Sequence, residues 1–193
     1  MGADDETLLI AWRDGDRESG EELFGRYFDR LYAFFGAKVD SAEVADLVQK
    51  VFVGCVEGAD RFRGEASVRA YFYGVARNVL YRHYRTRRRT PQLDFSVSSL
   101  FDVAPTPSSI VHRADRHRRL HEALVRLPLE LQILVELRFD EGLSGPELAA
   151  ALGLPEGTVR SRLRRALEQL RDAMSEASAE EREQVERWTS AAE

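Results

Sequence analysis

Residues 143–171 read LSGPELAAALGLPEGTVRSRLRRALEQLR, and the architecture can be worked out from them. Ser144 and Glu147 have the spacing of a capping box, and Pro146 falls in the first turn, where its missing N–H costs nothing. A short helix therefore starts at Ser144 and stops at Gly153. A second begins near Pro155 and runs through Leu170, with Val159, Leu163, Ala166, Leu167 and Leu170 recurring every three or four positions. Two helices joined by Gly153, Leu154 and Pro155 read as a helix-turn-helix.

At about 100° per residue the second helix turns that apolar stripe inward. Arg160, Ser161, Arg164 and Arg165 are left outside, flanked by Thr158 and Arg162. Arginine can pair bidentately with guanine edges, and amides at a helix start can take a phosphate, so the face suits the major groove of DNA.

Upstream, Leu120, Ala123, Leu124 and Leu127, then Leu131, Leu134, Val135 and Leu137, mark two helices interrupted near Pro128. Before them, residues 91–112 (PQLDFSVSSLFDVAPTPSSIVH) hold three prolines and five serines, and the periodicity lapses into a linker. In residues 1–90, helical spacing returns at Leu23 to Phe35, Val44 to Val56 and Val68 to Leu80, with no competing strand alternation. The expectation is an all-α protein of two small helical domains, 1–90 and 113–174, joined by a flexible linker, 91–112. An acidic tail, 175–193, follows, in which Val185 and Trp188 alone ask for burial.

With 193 residues and 44% hydrophobic content, two cores can be filled. No apolar run approaches the ~18 residues of a membrane helix, and the acidic N-terminus is unlike a signal peptide, so a cytoplasmic protein is expected. The single Cys55 and four scattered histidines exclude a disulfide scaffold and offer no metal site. No cofactor is implied. Without a Ser/His/Asp arrangement, P-loop or paired carboxylates in a recognisable context, no catalytic residue is assigned, and the chain is read as non-enzymatic.

The net charge of −5 conceals segregation: residues 77–90 carry six arginines and no acid. In ARNVLYRHYRTRRR (76–89), phosphate-binding cations mix with Tyr81, His83 and Tyr84, rings that can stack on exposed bases. A basic helix end complementing the dipole accounts for one or two arginines, not six. The preceding loop, Arg61 to Ser67, is polar and glycine-containing. Of the neighbouring aromatics, Phe72 is assigned to the core.

DGDRESGEELFGRYFDRLYAFF, ADLVQKVF, FRGEASVRAYFYGVARN and the 143–171 block follow one another in order. Together they resemble the extracytoplasmic-function (ECF) group of bacterial sigma factors in the sigma-70 family, over about residues 6–173. The resemblance implies an RNA polymerase sigma factor that directs the core enzyme to promoters and initiates transcription. Thr158, Arg160, Ser161, Arg164 and Arg165 would read the minus-thirty-five element. Arg77, Asn78, Tyr81, Arg82 and Arg85, with Arg61, Arg63 and Ser67 of the loop, would melt and capture the minus-ten element, the loop holding a flipped base. Glu43, Asp46, Leu47, Gln49, Lys50 and Phe52 would bind a basic coiled coil on the clamp of the largest polymerase subunit. Promoter DNA and core polymerase are thus the implied partners, an anti-sigma factor or other regulator is left open as a third, and no membrane insertion is implied.

The sequence departs from the family pattern in three respects, at four positions. Ala45 and Lys50 replace carboxylates of the usual acidic patch, which weakens attraction to the clamp. Tyr71 stands for a usual tryptophan in the melting region, and Arg82 for a frequent aspartate. The alternative reading, a stand-alone helix-turn-helix regulator, predicts tight duplex binding without polymerase and a palindromic site.

Overall fold

Aspartates stand before three of the four α-helices of the first unit. Asp4 Oδ1 accepts from the Thr7 N–H (2.8 Å) and opens α1 (Asp5–Arg13). Asp16 accepts from the Glu18 N–H (3.2 Å) and the Ser19 hydroxyl (2.5 Å) and opens α2 (Arg17–Gly36). These bonds, from Thr7 and Ser19 respectively, hold both carboxyls below their ordinary pKa. Asp40 stands at the N-cap of α3 (Ser41–Gly58) but makes no side-chain cap bond; its carboxylate instead accepts from Arg87 (3.1 Å). A 3-10 turn (Ala59–Arg61) follows, and α4 (Val68–Arg88) begins after Ser67, whose Oγ accepts from the Ala70 N–H (3.2 Å).

In this computed structural model residues 3–62, 64, 66–88, 120, 123–173 and 190 are described. The expected linker 91–112, Arg63, and the tail 175–193 apart from Ser190 lie outside them. All regular elements among the described residues are helical, and the chain divides into two compact units, one of residues 1–98 with 150–153 and one of residues 99–149 with 154–193.

The core of the first unit is built from α2, α3 and α4. Leu23, Leu31, Phe35, Val51, Cys55, Phe72, Ala76 and Leu80 have no exposed surface, which agrees with the core assignment of Phe72. Its ring stacks on Tyr27 at 4.5 Å between centroids. Each such large side chain contributes about 1.5–3 kcal/mol by leaving water. Leu8 and Leu9 anchor α1, and the Trp12 indole lies against Gly20 so closely that a Cβ there would overlap the ring. Tyr27 also donates to Asp5, tying α1 to α2.

In the second unit, the helical residues 123–126 end at the Pro128 break, and α5 (Leu129–Phe139) resumes beyond it. The buried Gln132 amide bridges the interruption by donating to the carbonyls of Val125 (2.9 Å) and Leu127 (2.7 Å). It thereby satisfies acceptors that a continuous helix would have satisfied. α6 (Gly145–Leu152) and α7 (Glu156–Ala173) form the helix-turn-helix, α7 packing on α5. The capping box is present: the Ser144 N–H and hydroxyl both donate to Glu147 Oε2, at 2.8 and 2.6 Å. Gly153, at φ +61°, turns the chain while the Leu154 N–H reaches back to the Ala149 carbonyl (3.0 Å).

Candidate nucleic-acid and partner interfaces

α7 buries Val159, Leu163, Ala166, Leu167 and Leu170 and leaves Arg160, Ser161, Arg164 and Arg165 exposed, with Thr158 half-buried at the flank. Arg162, the other flanking residue, turns back to Glu130 (2.7 Å), a link between α7 and α5. Arg164 is 77% exposed, and among the described residues its ion-pair contact is a long one to Glu168 (3.8 Å). Neither Arg160 nor Arg165 has an ion-pair partner among the described residues. Ser161 spends its hydroxyl proton on the Thr158 carbonyl (3.0 Å). The outer face therefore holds three cations at helical spacing with loose or no internal attachment, ready to meet an anionic groove.

α4 sorts its arginines by face. Positions 77, 78, 81, 82 and 85 lie three and four apart and make one stripe. On it Asn78, Arg82 and Arg85 are exposed, while half-buried Arg77 holds its guanidinium over the Tyr81 ring at 4.8 Å. That stacking orients cation and ring together, an arrangement suited to a nucleotide's phosphate and base. Arg87 leaves the stripe and pairs with Asp40 (3.1 Å) and Glu43 (3.3 Å) at the start of α3. Beside it the Tyr84 hydroxyl donates to the Lys38 carbonyl (2.5 Å), and burial pushes its pKa up to about 12.

The loop before α4 passes close to α1. Gly64 has φ +70°, and a Cβ there would lie 2.9 Å from Glu6 Oε1. Ser67 serves as the helix cap, and Arg61 belongs to the 3-10 turn. Phe62 packs against Tyr71 (5.3 Å), whose hydroxyl donates to the Cys55 carbonyl (2.8 Å). The ring at position 71 is thereby fastened to α3.

α3 presents its six candidate residues differently from one another. Glu43 is drawn toward α4, its Oε2 lying 3.3 Å from Arg87 and 3.7 Å from His83. Asp46 and Lys50, both exposed, pair with each other at 2.5 Å. Gln49 is exposed, but Leu47 (1% exposed) and Phe52 (6%) face inward. Phe52 does reach one surface feature that sequence reading missed. Trp12, Phe24, Phe28, Phe52, Val53 and Val56 line a groove of about 580 Å³ across α1, α2 and α3. Phe24, Val53 and Val56 are 44%, 49% and 42% exposed. Phe24 stacks on Phe28 (4.9 Å) and leans on Phe52 (4.6 Å), so the apolar surface is continuous.

Among the described residues no cluster has the makings of a metal site, and no helix is long and apolar enough to cross a membrane.

The sequence matches the family described as Sigma-70 region 2 over residues 23–90 and that described as Sigma-70, region 4 over residues 117–170. It is 28% identical over 173 residues to the ECF RNA polymerase sigma-E factor of Escherichia coli (strain K12), covering 85% of this chain and 91% of that one. The Haemophilus influenzae ECF RNA polymerase sigma-E factor is likewise 28% identical, over 176 residues, with 86% and 93% coverage. In fold, the chain is similar to CnrH solved with the cytosolic domain of CnrY (TM-score 0.66, 23% identity, 90% of this chain and 99% of that one). It is also similar to the sigma factor RpoE of Bartonella quintana solved with the anti-sigma factor NepR (TM-score 0.61, 22% identity, 82% and 98%).

Proposed function

The chain belongs to the sigma-70 family, in its ECF group, and is an RNA polymerase sigma factor; we propose that three of its surfaces divide the work of promoter engagement. The exposed face of α7 (Thr158, Arg160, Ser161, Arg164, Arg165) reads the minus-thirty-five duplex in the major groove. The α4 stripe (Arg77, Asn78, Tyr81, Arg82, Arg85), together with Arg61, Arg63 and Ser67 of the loop, takes the melted minus-ten strand. The outer side of α3 (Glu43, Asp46, Gln49, Lys50) docks on the clamp of the core enzyme, with Leu47 and Phe52 supporting it from within.

On this reading residues 1–90 and 113–174 are the two working domains, 91–112 the linker and 175–193 an acidic tail. The protein acts in the cytoplasm, where the polymerase is, and contributes no bond-making chemistry of its own. An anti-sigma factor or comparable regulator is a further proposed partner. The observation carrying the proposal is the division of arginines on α7: Arg162 is spent on the fold, whereas Arg160, Arg164 and Arg165 face outward. Transcription with purified core polymerase on a promoter library tests it. Initiation at bipartite, directional sites only when chain and core are both present is expected; palindromic sites bound without polymerase would favour the stand-alone regulator.

A further inference from the structure

The ring at position 71 stands where the resemblance places promoter melting, yet its hydroxyl is spent inside the fold. Where α3 ends, the Ala59 N–H closes on the Val56 carbonyl, three residues back, as the chain tightens into the 3-10 turn. The Cys55 carbonyl of that last turn instead receives the Tyr71 hydroxyl, which reaches it from the first turn of α4 at 2.8 Å. Gly58 leaves the room: a Cβ there would lie 2.5 Å from the hydroxyl oxygen but 3.6 Å from the ring carbon that bears it, so the hydroxyl alone needs the glycine. One turn earlier, Gly54 admits Val75, a Cβ there falling 3.0 Å from its Cγ1. Residues 71 and 75 are likewise one turn apart, and α4 closes on α3 along this seam. The ring itself lies against Phe72 (6.3 Å, edge-on) and Phe62 (5.3 Å). Phe62 is where the chain leaves the 3-10 turn and enters the loop, and at the loop's far end the Ser67 carbonyl accepts from the Tyr71 N–H (3.0 Å). One residue thus holds the loop at its entry and its exit.

From this we infer that Tyr71 is a positioning residue: anchored to Cys55 through its hydroxyl, it sets Phe62, and through Phe62 the loop 61–67, in the pose that takes a base of the melted strand. It is not a wedge that enters the duplex. A wedge gives its ring to the base stack, and to do so Tyr71 would have to leave both the Cys55 carbonyl and the Phe62 ring. The inference rests on the assignment of the loop to the minus-ten strand made above. It adds a path of action, from the end of α3 through two rings to the loop, that no residue of the α4 stripe shares.

The test uses holoenzyme reconstituted from the full chain and core polymerase, bound to a promoter duplex and to the same promoter with its minus-ten element premelted by mismatches. In the premelted template each unpaired minus-ten base is also replaced in turn by an abasic site. For the wild type, removing the captured base is expected to weaken binding about tenfold, the scale of one base's stacking contacts. Tyr71→Phe keeps the ring and removes the anchor. It is expected to lower affinity about two- to tenfold, the range of one hydrogen bond, on duplex and premelted templates alike, and to shrink the base-to-abasic ratio at that position alone. Phe62→Leu is expected to do the same, and the two together to cost little more than either, because they act along one path. Gly58→Ala crowds the hydroxyl and is expected to weaken binding by the wild type but to be silent in Tyr71→Phe. Thermal melting shows that each variant is folded, and Phe62→Leu carries the test should Tyr71→Phe unfold. A deficit seen on the duplex and absent on the premelted template makes Tyr71 a wedge and overturns the inference. Unchanged ratios in both folded variants, or an equal loss at every position, the mark of a merely structural role, also overturn it. Absence of any base-to-abasic difference in the wild type overturns the assignment of the loop on which it rests.

Discussion

Arg164→Ala, set beside Arg162→Ala, separates recognition from folding on one helix. Arg164 is 77% exposed, and among the described residues its ion-pair contact is the long one to Glu168 (3.8 Å), so truncating it removes little from the fold. Arg162 is 38% exposed and 2.7 Å from Glu130, so its loss removes a link between α7 and α5 worth about 0.2–1 kcal/mol, typical of a solvated pair. If Arg164 reads a base bidentately, its removal costs about 1–3 kcal/mol of discrimination, or roughly 5- to 150-fold. The assay is initiation by reconstituted holoenzyme from matched templates and templates altered one base at a time in the upstream element. Arg164→Ala should collapse the matched-to-mismatched ratio at one position and leave the melting temperature within a degree or two. Arg162→Ala should lower the melting temperature by a few degrees and keep the ratio. A uniform loss on all templates with a shallower salt slope would reassign Arg164 to a phosphate. Collapse of the ratio with Arg162→Ala alone would refute the division of labour on α7.

Three further expectations follow from packing and protonation. Gly20→Val forces the Trp12 indole off α2, and such overpacking costs about 1–3 kcal/mol, to be read as a drop in denaturant midpoint with altered tryptophan fluorescence. Leu163→Ala empties a fully packed position under α7 and should destabilise the second unit by about 2–5 kcal/mol, read by calorimetry as loss of its transition. Tyr84 is held neutral in the fold up to about pH 12, whereas the unfolded phenol ionises at its ordinary value near 10.0. Its contribution is therefore complete below pH 10 and lost as pH rises through the folded value, and Tyr84→Phe should flatten the fall in stability between pH 10 and 12.

Helix periodicity is enough to place α2 to α7, each of which buries an apolar stripe that repeats at the helical period, but not α1, which buries only Leu8 and Leu9 and shows no sustained repeat. The same rule hid the groove. Val56 closes the series that begins at Val44 while Val53 falls outside it, and periodicity does not distinguish the part of a stripe that meets another helix from the part that meets solvent. Leu47 and Phe52 were grouped with the polymerase-binding residues through the family motif, although their spacing matches that of the core set; the packing puts both inside. The capping box and glycine turn were legible because they are local, each fixed by residues within a few positions. Long-range pairings such as Arg87 with Asp40 and Arg162 with Glu130 leave no local trace. A charge count along 77–90 does not say where each arginine points, and only the fold shows that Arg87 turns to α3.

The proposed function divides the work: the chain selects the start site, and the polymerase is proposed to do the chemistry. Single-round transcription from one promoter, with chain alone, core alone and both together, tests this directly. The account predicts one defined start for the mixture, lost when either promoter element is scrambled, and none for either component by itself. Tight binding of the isolated chain to the duplex, with no gain in start-site choice on adding core enzyme, would contradict it.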